Sequence, residues 1–191
     1  MALSDIEQVS KLDAARRQLD CAIALYFGEG DSVSIHTLVA AAYEVLRDLS
    51  ARDKALRPML KERSLDFVRA EHQKAVLRKL SEAENFFKHA NLDPDKTLEF
   101  SASQTDSLLL DACDQHTHLT GTTTPAMQAM RLWYILHHVD VCILPENETA
   151  KLKRSAKVLT HIKKDKFFAL AKESVTQALE ANSPGYPTKA N

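Results

Sequence analysis

Tight turns need glycine and proline, and this chain has little of either: four Gly and six Pro among 191 residues. That shortage argues against a β-sandwich or barrel, which must reverse direction every few residues. Cysteine is also sparse. Cys21, Cys113 and Cys142 are odd in number, widely spaced and never part of a CxxC pair, so neither a zinc ribbon nor a redox dithiol is indicated. Each lies among apolar neighbours, and buried free thiols in a reducing compartment are expected. No apolar run approaches the roughly 20 residues of a membrane span. The opening MALSDIEQVSKL reads as an amphipathic helix without the apolar core of a signal peptide, so a cytoplasmic protein with no membrane partner is expected. A Gly-rich phosphate loop, a GxSxG elbow, an EF-hand loop and an HExxH pair are all missing.

Charge of one sign is lacking as well. The formal net charge of −1 gives no global field toward nucleic acid or membrane. Locally the balance swings. Residues 151–166 carry seven Lys or Arg against Asp165, and residues 81–120 carry eight Asp or Glu against Lys88 and Lys96. Solvated helix faces explain both runs more simply than a binding patch does.

What is abundant is Ala, Leu, Lys, Glu, Arg and Gln, the residues of helices. The apolar share is 45% and the charged share 27%, as in ordinary globular proteins. The chain reads as an all-α, single-domain bundle of five to seven helices over 1–181, with a flexible polar tail over 182–191. The first helix is expected over 4–27, its stripe formed by Leu12, Ala15, Leu19, Ala22, Ile23 and Tyr26, with GEGD at 28–31 supplying left-handed glycines to end it. The second spans 32–50, capped by Asp31 or Ser32, with Ile35, Leu38, Val39, Ala42, Val45, Leu46 and Leu49 on one side. Residues 52–64 form a short helix or a loop. A third helix runs over 64–83, and ENFFKHA can extend it to Ala90. KTLEFS alternates polar and apolar side chains, as a short strand or ordered loop near 95–102 does. A fourth helix covers 104–118, with Ser103 and Asp106 at capping-box spacing. A fifth covers 125–138, with Thr124 as N-cap and Pro125 first. One or two helices follow over 146–181, with Phe168, Ala171, Val175 and Leu179 as the last stripe. Trp133, Leu46, Ile23 and Phe87 are the expected core anchors.

The segment richest in chemistry is Glu84-Asn85-Phe86-Phe87-Lys88-His89. On one helix, Asn85 and His89 share a face. An Asn amide can fix the imidazole tautomer, leaving the other nitrogen to move a proton near neutral pH, while Lys88 holds an anion. The plainer account is that His89 ends a helix and complements its exposed carbonyls, with Phe86 and Phe87 as core anchors. By composition alone the plainer account is preferred.

The long first helix, the Ala-rich second helix HTLVAAAYEVLRDL and the motif ending in His resemble the HEPN superfamily over about the first two-thirds of the chain. That resemblance implies a helical bundle, a homodimer whose motif helices meet across a two-fold axis, and metal-independent ribonuclease chemistry without a cofactor. The family motif is an Arg, commonly an Asn next, and a His about four residues on. ENFFKH matches at Asn85 and His89, implied to be catalytic, and departs at Glu84, which stands where the Arg belongs. In such a nuclease the Arg neutralises the scissile phosphate and the His transfers a proton. A carboxylate at 84 is expected to repel the phosphate; Lys88 is the substitute phosphate-binding residue. An RNA- or nucleotide-binding protein, as a degenerate ribonuclease, is the first functional reading. A non-enzymatic helical protein-interaction module is the second. A cleft shared by Asn85 and His89 and lined with Lys88 and other basic residues favours the first; a His89 sealed by packing, or pointing alone into solvent, favours the second.

Remaining candidates are weaker. His116, His118, His137 and His138, with Asp111 and Asp114, are metal-ligand types, but residues two apart on a helix diverge, and no metal site is expected. Cys113 and His116 can touch on one helix, yet the Leu-rich setting makes Cys113 inert core. Trp133 and Tyr134 are core rather than base-stacking platforms.

Overall fold

The computed structural model describes residues 6–53, 55–91 and 93–182, with side chains described as far as Gln177. The fold is all-α, with nine helices and no strand among the described residues. The backbone groups into two compact units, Met1–Thr123 and Thr124–Asn191.

In the first unit, α1 (Lys11–Phe27) and α2 (Ser32–Ser50) pack together, and α6 (Gln104–Thr120) packs on both. Their meeting faces are closed: Leu19, Ile23 and Phe27 of α1, Val39, Tyr43 and Leu46 of α2, and Leu109 and Ala112 of α6 are all fully buried. Burying each large apolar side chain contributes about 1.5–3 kcal/mol, which makes this trio of helices the foundation of the unit. Asp31 caps α2 by accepting from the Ser34 N–H at 2.8 Å, as the sequence predicts. The first helix starts later than expected. Ser10 is its N-cap, and its hydroxyl accepts from the Asp13 N–H at 3.0 Å.

The α1–α2 turn works differently from the expectation of left-handed glycines. Gly28 has φ −83°, and the left-handed residue is Glu29 at φ 54°. The Gly30 N–H donates to the Leu25 carbonyl at 2.8 Å and Glu29 N–H to Tyr26 at 3.4 Å, closing the helix end around Glu29. Gly30 makes a close approach instead: a Cβ there would lie 3.1 Å from the Leu25 side chain and 3.2 Å from its carbonyl, so Leu25 would have to shift. The α6 terminus does use a left-handed glycine, Gly121 at φ 67°.

The short helix allowed within 52–64 is α3 (Leu60–Leu65), and the expected third helix is broken in two: α4 (Ala70–Leu80) and α5 (Glu82–Lys88). Gln73 fixes the turn between α3 and α4 by donating to the carbonyls of Leu65 and Val68. α4 buries none of its residues, so its apolar side chains form no core stripe. Ser81 separates α4 from α5 with φ −102° and ψ 9°, and the break turns Glu84 inward. Phe87 is accordingly only half-buried. Residues 93–103 form an ordered loop. Ser103 does not cap α6: its backbone is helical, at φ −62° and ψ −20°, and its hydroxyl lies against Ser101 at 2.9 Å.

The second unit consists of α7 (Pro125–His137), α8 (Glu146–Leu159) and α9 (Lys164–Asn182). Thr124 caps α7 by accepting from the Met127 N–H at 3.1 Å, with Pro125 at the first position. Trp133 is buried and meets Phe167 edge to face at 4.9 Å. Phe167 and Ala171 lead the buried stripe of α9, while Phe168 is half-buried and the Leu179 side chain lies outside the described residues. The polar tail predicted over 182–191 begins at Asn182, the last residue of α9, and residues 183–191 also lie outside the described part. No helix among the described residues is long and apolar enough to cross a membrane.

Candidate functional site

The ENFFKH segment is split between two environments by the α5 turn. Asn85 and His89 are exposed and line one groove of about 1,000 Å³ in the first unit. They do not share a helical face. His89 is the C-cap of α5, in extended conformation at φ −133° and ψ 126°, and its backbone N–H donates to the Asn85 carbonyl at 3.0 Å. The two side chains make no hydrogen bond with each other, so the amide does not set the imidazole tautomer.

The groove gathers charged residues the sequence did not single out as a site. Arg78, Lys79 and Lys96 line it, together with Phe86 and the carboxylates Glu82 and Asp93, a small excess of positive charge. Lys79 pairs with Glu82, both exposed, and Lys96 pairs at 3.2 Å with the half-buried Asp93. Exposed pairs of this kind contribute little and yield readily to another anion. Arg78 makes no ion pair among the described residues. Lys88 is exposed on the last turn of α5 and does not line the groove.

Glu84 is not in the groove at all. It is 6% exposed, and its carboxylate accepts from Lys61 Nζ at 2.6 Å. Lys61 is 1% exposed, which is rare for lysine, and every feature around it compensates the charge. Its ammonium also donates to Ser81 Oγ at 3.3 Å, lies 3.8 Å from Glu44, and sits 4.9 Å from the Tyr43 ring centroid. The Lys61 N–H donates to the Tyr43 hydroxyl at 3.0 Å. Asp111 completes the network, its carboxylate accepting from the Leu60 N–H at 2.6 Å and from Arg63 at 3.0 Å. Burial pushes the Tyr43 hydroxyl and the Glu44 carboxyl above their ordinary ranges. The expected repulsion of a phosphate by Glu84 therefore does not arise from this geometry.

His36 is the second residue that the sequence reading missed. It is buried on α2, with Nδ1 2.9 Å from Thr105 Oγ1 and edge-to-face packing on Phe87 and Phe100 at 5.8 and 5.1 Å. Burial holds its pKa below the usual imidazole value; Glu84 opposes that shift, and Lys61 and Lys88 reinforce it. A legible signal existed: His36 stands four residues before Ala40 and seven before Tyr43, on the buried face of an amphipathic helix.

The other candidates separate. Among the described residues no group of three or more His, Cys, Asp or Glu could hold a metal ion. His116 is buried, hydrogen-bonds the Thr122 backbone and has an unpartnered Nδ1; His118 is exposed. In the second unit, His137 Nδ1 donates to the Trp133 carbonyl at 2.9 Å and stacks on that indole, and His138 lies against Tyr134. Cys113 is buried and its thiol is pushed well up by burial, which keeps it protonated. Cys21 is exposed and Cys142 half-buried, contrary to the expectation of three buried thiols. Comparison with protein-family models, curated proteins and solved structures finds no match to this chain.

Proposed function

We propose that the first unit is an RNA-binding, HEPN-like module and a degenerate relative of metal-independent ribonucleases. The observation that carries this reading is the placement of Asn85, His89 and the unpaired Arg78 in one groove, with Lys79 and Lys96 beside them. Cations held loosely along a groove suit a phosphate backbone, and Phe86 offers a face for a base. Arg78 takes the phosphate-neutralising role left open at position 84. His89, exposed and at the groove wall, is the group placed to exchange a proton with a ribose hydroxyl. The loss of the Asn85–His89 hydrogen bond leaves that imidazole unfixed, which fits retained binding with weak turnover.

The test is equilibrium binding of labelled single-stranded RNA, with cleavage followed on gels with and without EDTA. Binding is expected to weaken as salt rises, and Arg78→Ala and Lys96→Ala each to flatten the salt dependence. For a single strand, one phosphate contact contributes about 0.7 to the slope. Any cleavage is expected to survive EDTA. The resemblance also carries a homodimer into the proposal, tested by light scattering against the monomer mass of 21.4 kDa. Phe67, 93% exposed in the turn after α3, is the observation behind the second reading, a helical protein-interaction module. That reading takes over if RNA of every sequence offered fails to bind at low salt.

A further inference from the structure

Behind the groove lies a second, partly enclosed cavity of about 420 Å³, within the roughly 300–1,000 Å³ of small-molecule sites. It shares Lys79, Glu82 and Leu98 with the groove, so the two spaces adjoin along α4, α5 and the 93–103 loop. Its walls are apolar at Leu60, Leu80, Leu98 and Leu108, and aromatic at Phe100. The remaining lining is mostly polar. His36, 3% exposed, spends Nδ1 on Thr105 and has no described hydrogen-bond partner for Nε2. Ser64 spends its hydroxyl on the Leu60 carbonyl, Lys61, Lys79 and Glu82 are ion-paired, and Gln104 and Glu99 are exposed at the rim.

We infer that this cavity receives a neutral heteroaromatic base, the class to which nucleobases belong, with His36 reading its edge beside the Phe100 ring. The inference rests on the RNA-binding reading of the adjoining groove. Charge decides the class of ligand. Lys61 is held by the buried Glu84, and the charge of Lys79 is offset by Glu82 and Glu99, which line the same cavity, so the lining has no net positive charge to draw a carboxylate or phosphate inside. Shape and hydrogen bonding narrow it further. A purely aliphatic occupant would seal His36 Nε2 away from water without a partner, whereas a heterocycle supplies both a flat apolar face and a ring nitrogen or exocyclic group at its edge. Base recognition in proteins combines these two features, stacking on a ring and hydrogen bonding at an edge. The base can come from a strand lying in the groove or from a free nucleoside.

The test uses two fluorescent probes on the full chain: 2-aminopurine riboside, and a single-stranded RNA hexamer carrying 2-aminopurine at an internal position. Saturable quenching of the riboside is expected, insensitive to salt and reversed by excess unlabelled nucleoside. Leu80→Trp, which enlarges a lining residue that is 43% exposed, is expected to weaken it at least tenfold. His36→Phe with Thr105→Val, which removes the imidazole without orphaning the threonine hydroxyl, is expected to do the same. Should that buried pair fail to fold by circular dichroism, Leu80→Trp carries the test alone. Quenching of the hexamer that Leu80→Trp abolishes names the strand as the source, and supports the inference even where the riboside alone is too weak to saturate. A riboside that responds while the hexamer fails to bind supports the cavity, names the free nucleoside as its source and sinks the groove reading. If neither probe responds, or if Leu80→Trp leaves every response unchanged, the inference is overturned whether or not RNA binds the groove.

Discussion

Glu84 and Asn85 are consecutive residues with opposite circumstances. Glu84 turns inward, loses its water and holds a buried lysine at 2.6 Å; Asn85 turns outward and touches a groove open to solvent. The break at Ser81 sets this division, and Lys61 gives it a reason: a buried ammonium must have a carboxylate. The motif-like segment is therefore two things at once, an interior clasp and an exterior wall. A substitution one position apart should report on fold in one case and on ligand in the other.

The largest expected effect comes from breaking the clasp. Lys61→Ala leaves Glu84 as an uncompensated buried charge, and Glu84→Ala does the same to Lys61. Losing one partner of such a pair costs about 3–5 kcal/mol, measurable as a lower urea midpoint. The paired change Lys61→Met with Glu84→Leu should recover most of that loss, because well-packed apolar residues replace a buried ion pair at little net cost. Glu84→Arg is the sharpest case. Restoring the arginine of the HEPN-like motif would set two cations together in the interior, so unfolding is expected rather than nuclease activity. A stable Glu84→Arg protein would show that the inward placement of residue 84 is wrong.

Asp111 is next. Its carboxylate accepts from the Leu60 N–H and from Arg63, tying the start of α3 to α6. Asp111→Ala removes a charged acceptor from two part-buried donors, and a loss of about 1.5–3 kcal/mol is expected, with α3 loosened first in hydrogen exchange. Asn85→Ala should leave the exchange of α3 unchanged.

How much of this was legible in the sequence follows from the same contrast. α2 and α7 were found at their ends as well as their middles, because Asp31 and Thr124 announce their caps. The short helix in 52–64 was allowed for, but the stretch 64–90 was not divided into α4 and α5. Its apolar residues run on at helical spacing through Val68 and Leu80, and nothing local marks the turns; Gln73 and the Lys61–Glu84 pair, which make them, act across many residues. Asn85 and His89 were recognised as candidates and do line one groove, while Glu84 was misplaced and Lys61 passed over. A lysine in a basic stretch reads as surface, and only its partners, contributed by α2 and α5, reveal otherwise. Arg78 and Lys96 joined the groove through folding of the 93–103 loop, which no motif records.

A smaller effect separates interior from exterior by pH. His36 and His116 are both held below the ordinary imidazole value of 6.5, burial being the first cause in each. The unfolded chain then binds more protons than the folded one just below 6.5. Stability is full above that value and falls as pH drops through it toward the lowered folded pKa, by at most about 1.4 kcal/mol per pH unit for each group. Partial solvent screening keeps the slope under that ceiling. Glu44, raised by burial, pulls the other way above its ordinary 4.5. Urea midpoints between pH 5 and 7 should therefore rise with pH in the wild type and rise less steeply in His36→Phe with Thr105→Val. An unchanged slope would remove His36 from the interior group.

The smallest effect on stability belongs to the exterior, and it is the one that bears on function. His89 is exposed, follows the last turn of α5 and makes no described side-chain hydrogen bond. Its link to the fold is the backbone bond from its N–H to the Asn85 carbonyl, which Ala retains. Surface changes away from special features stay within about 0.5 kcal/mol, so His89→Ala should leave the urea midpoint close to that of the wild type. Its RNA phenotype then has no folding excuse. In the groove reading, His89→Ala lowers affinity for single-stranded RNA and removes any residual EDTA-resistant cleavage, while His89→Gln, which keeps a hydrogen-bonding tip but cannot carry a proton near neutral pH, restores binding without cleavage. Equal RNA affinity in the wild type and His89→Ala would leave His89 as a helix terminus alone, and the groove would then owe any binding to Arg78, Lys79 and Lys96.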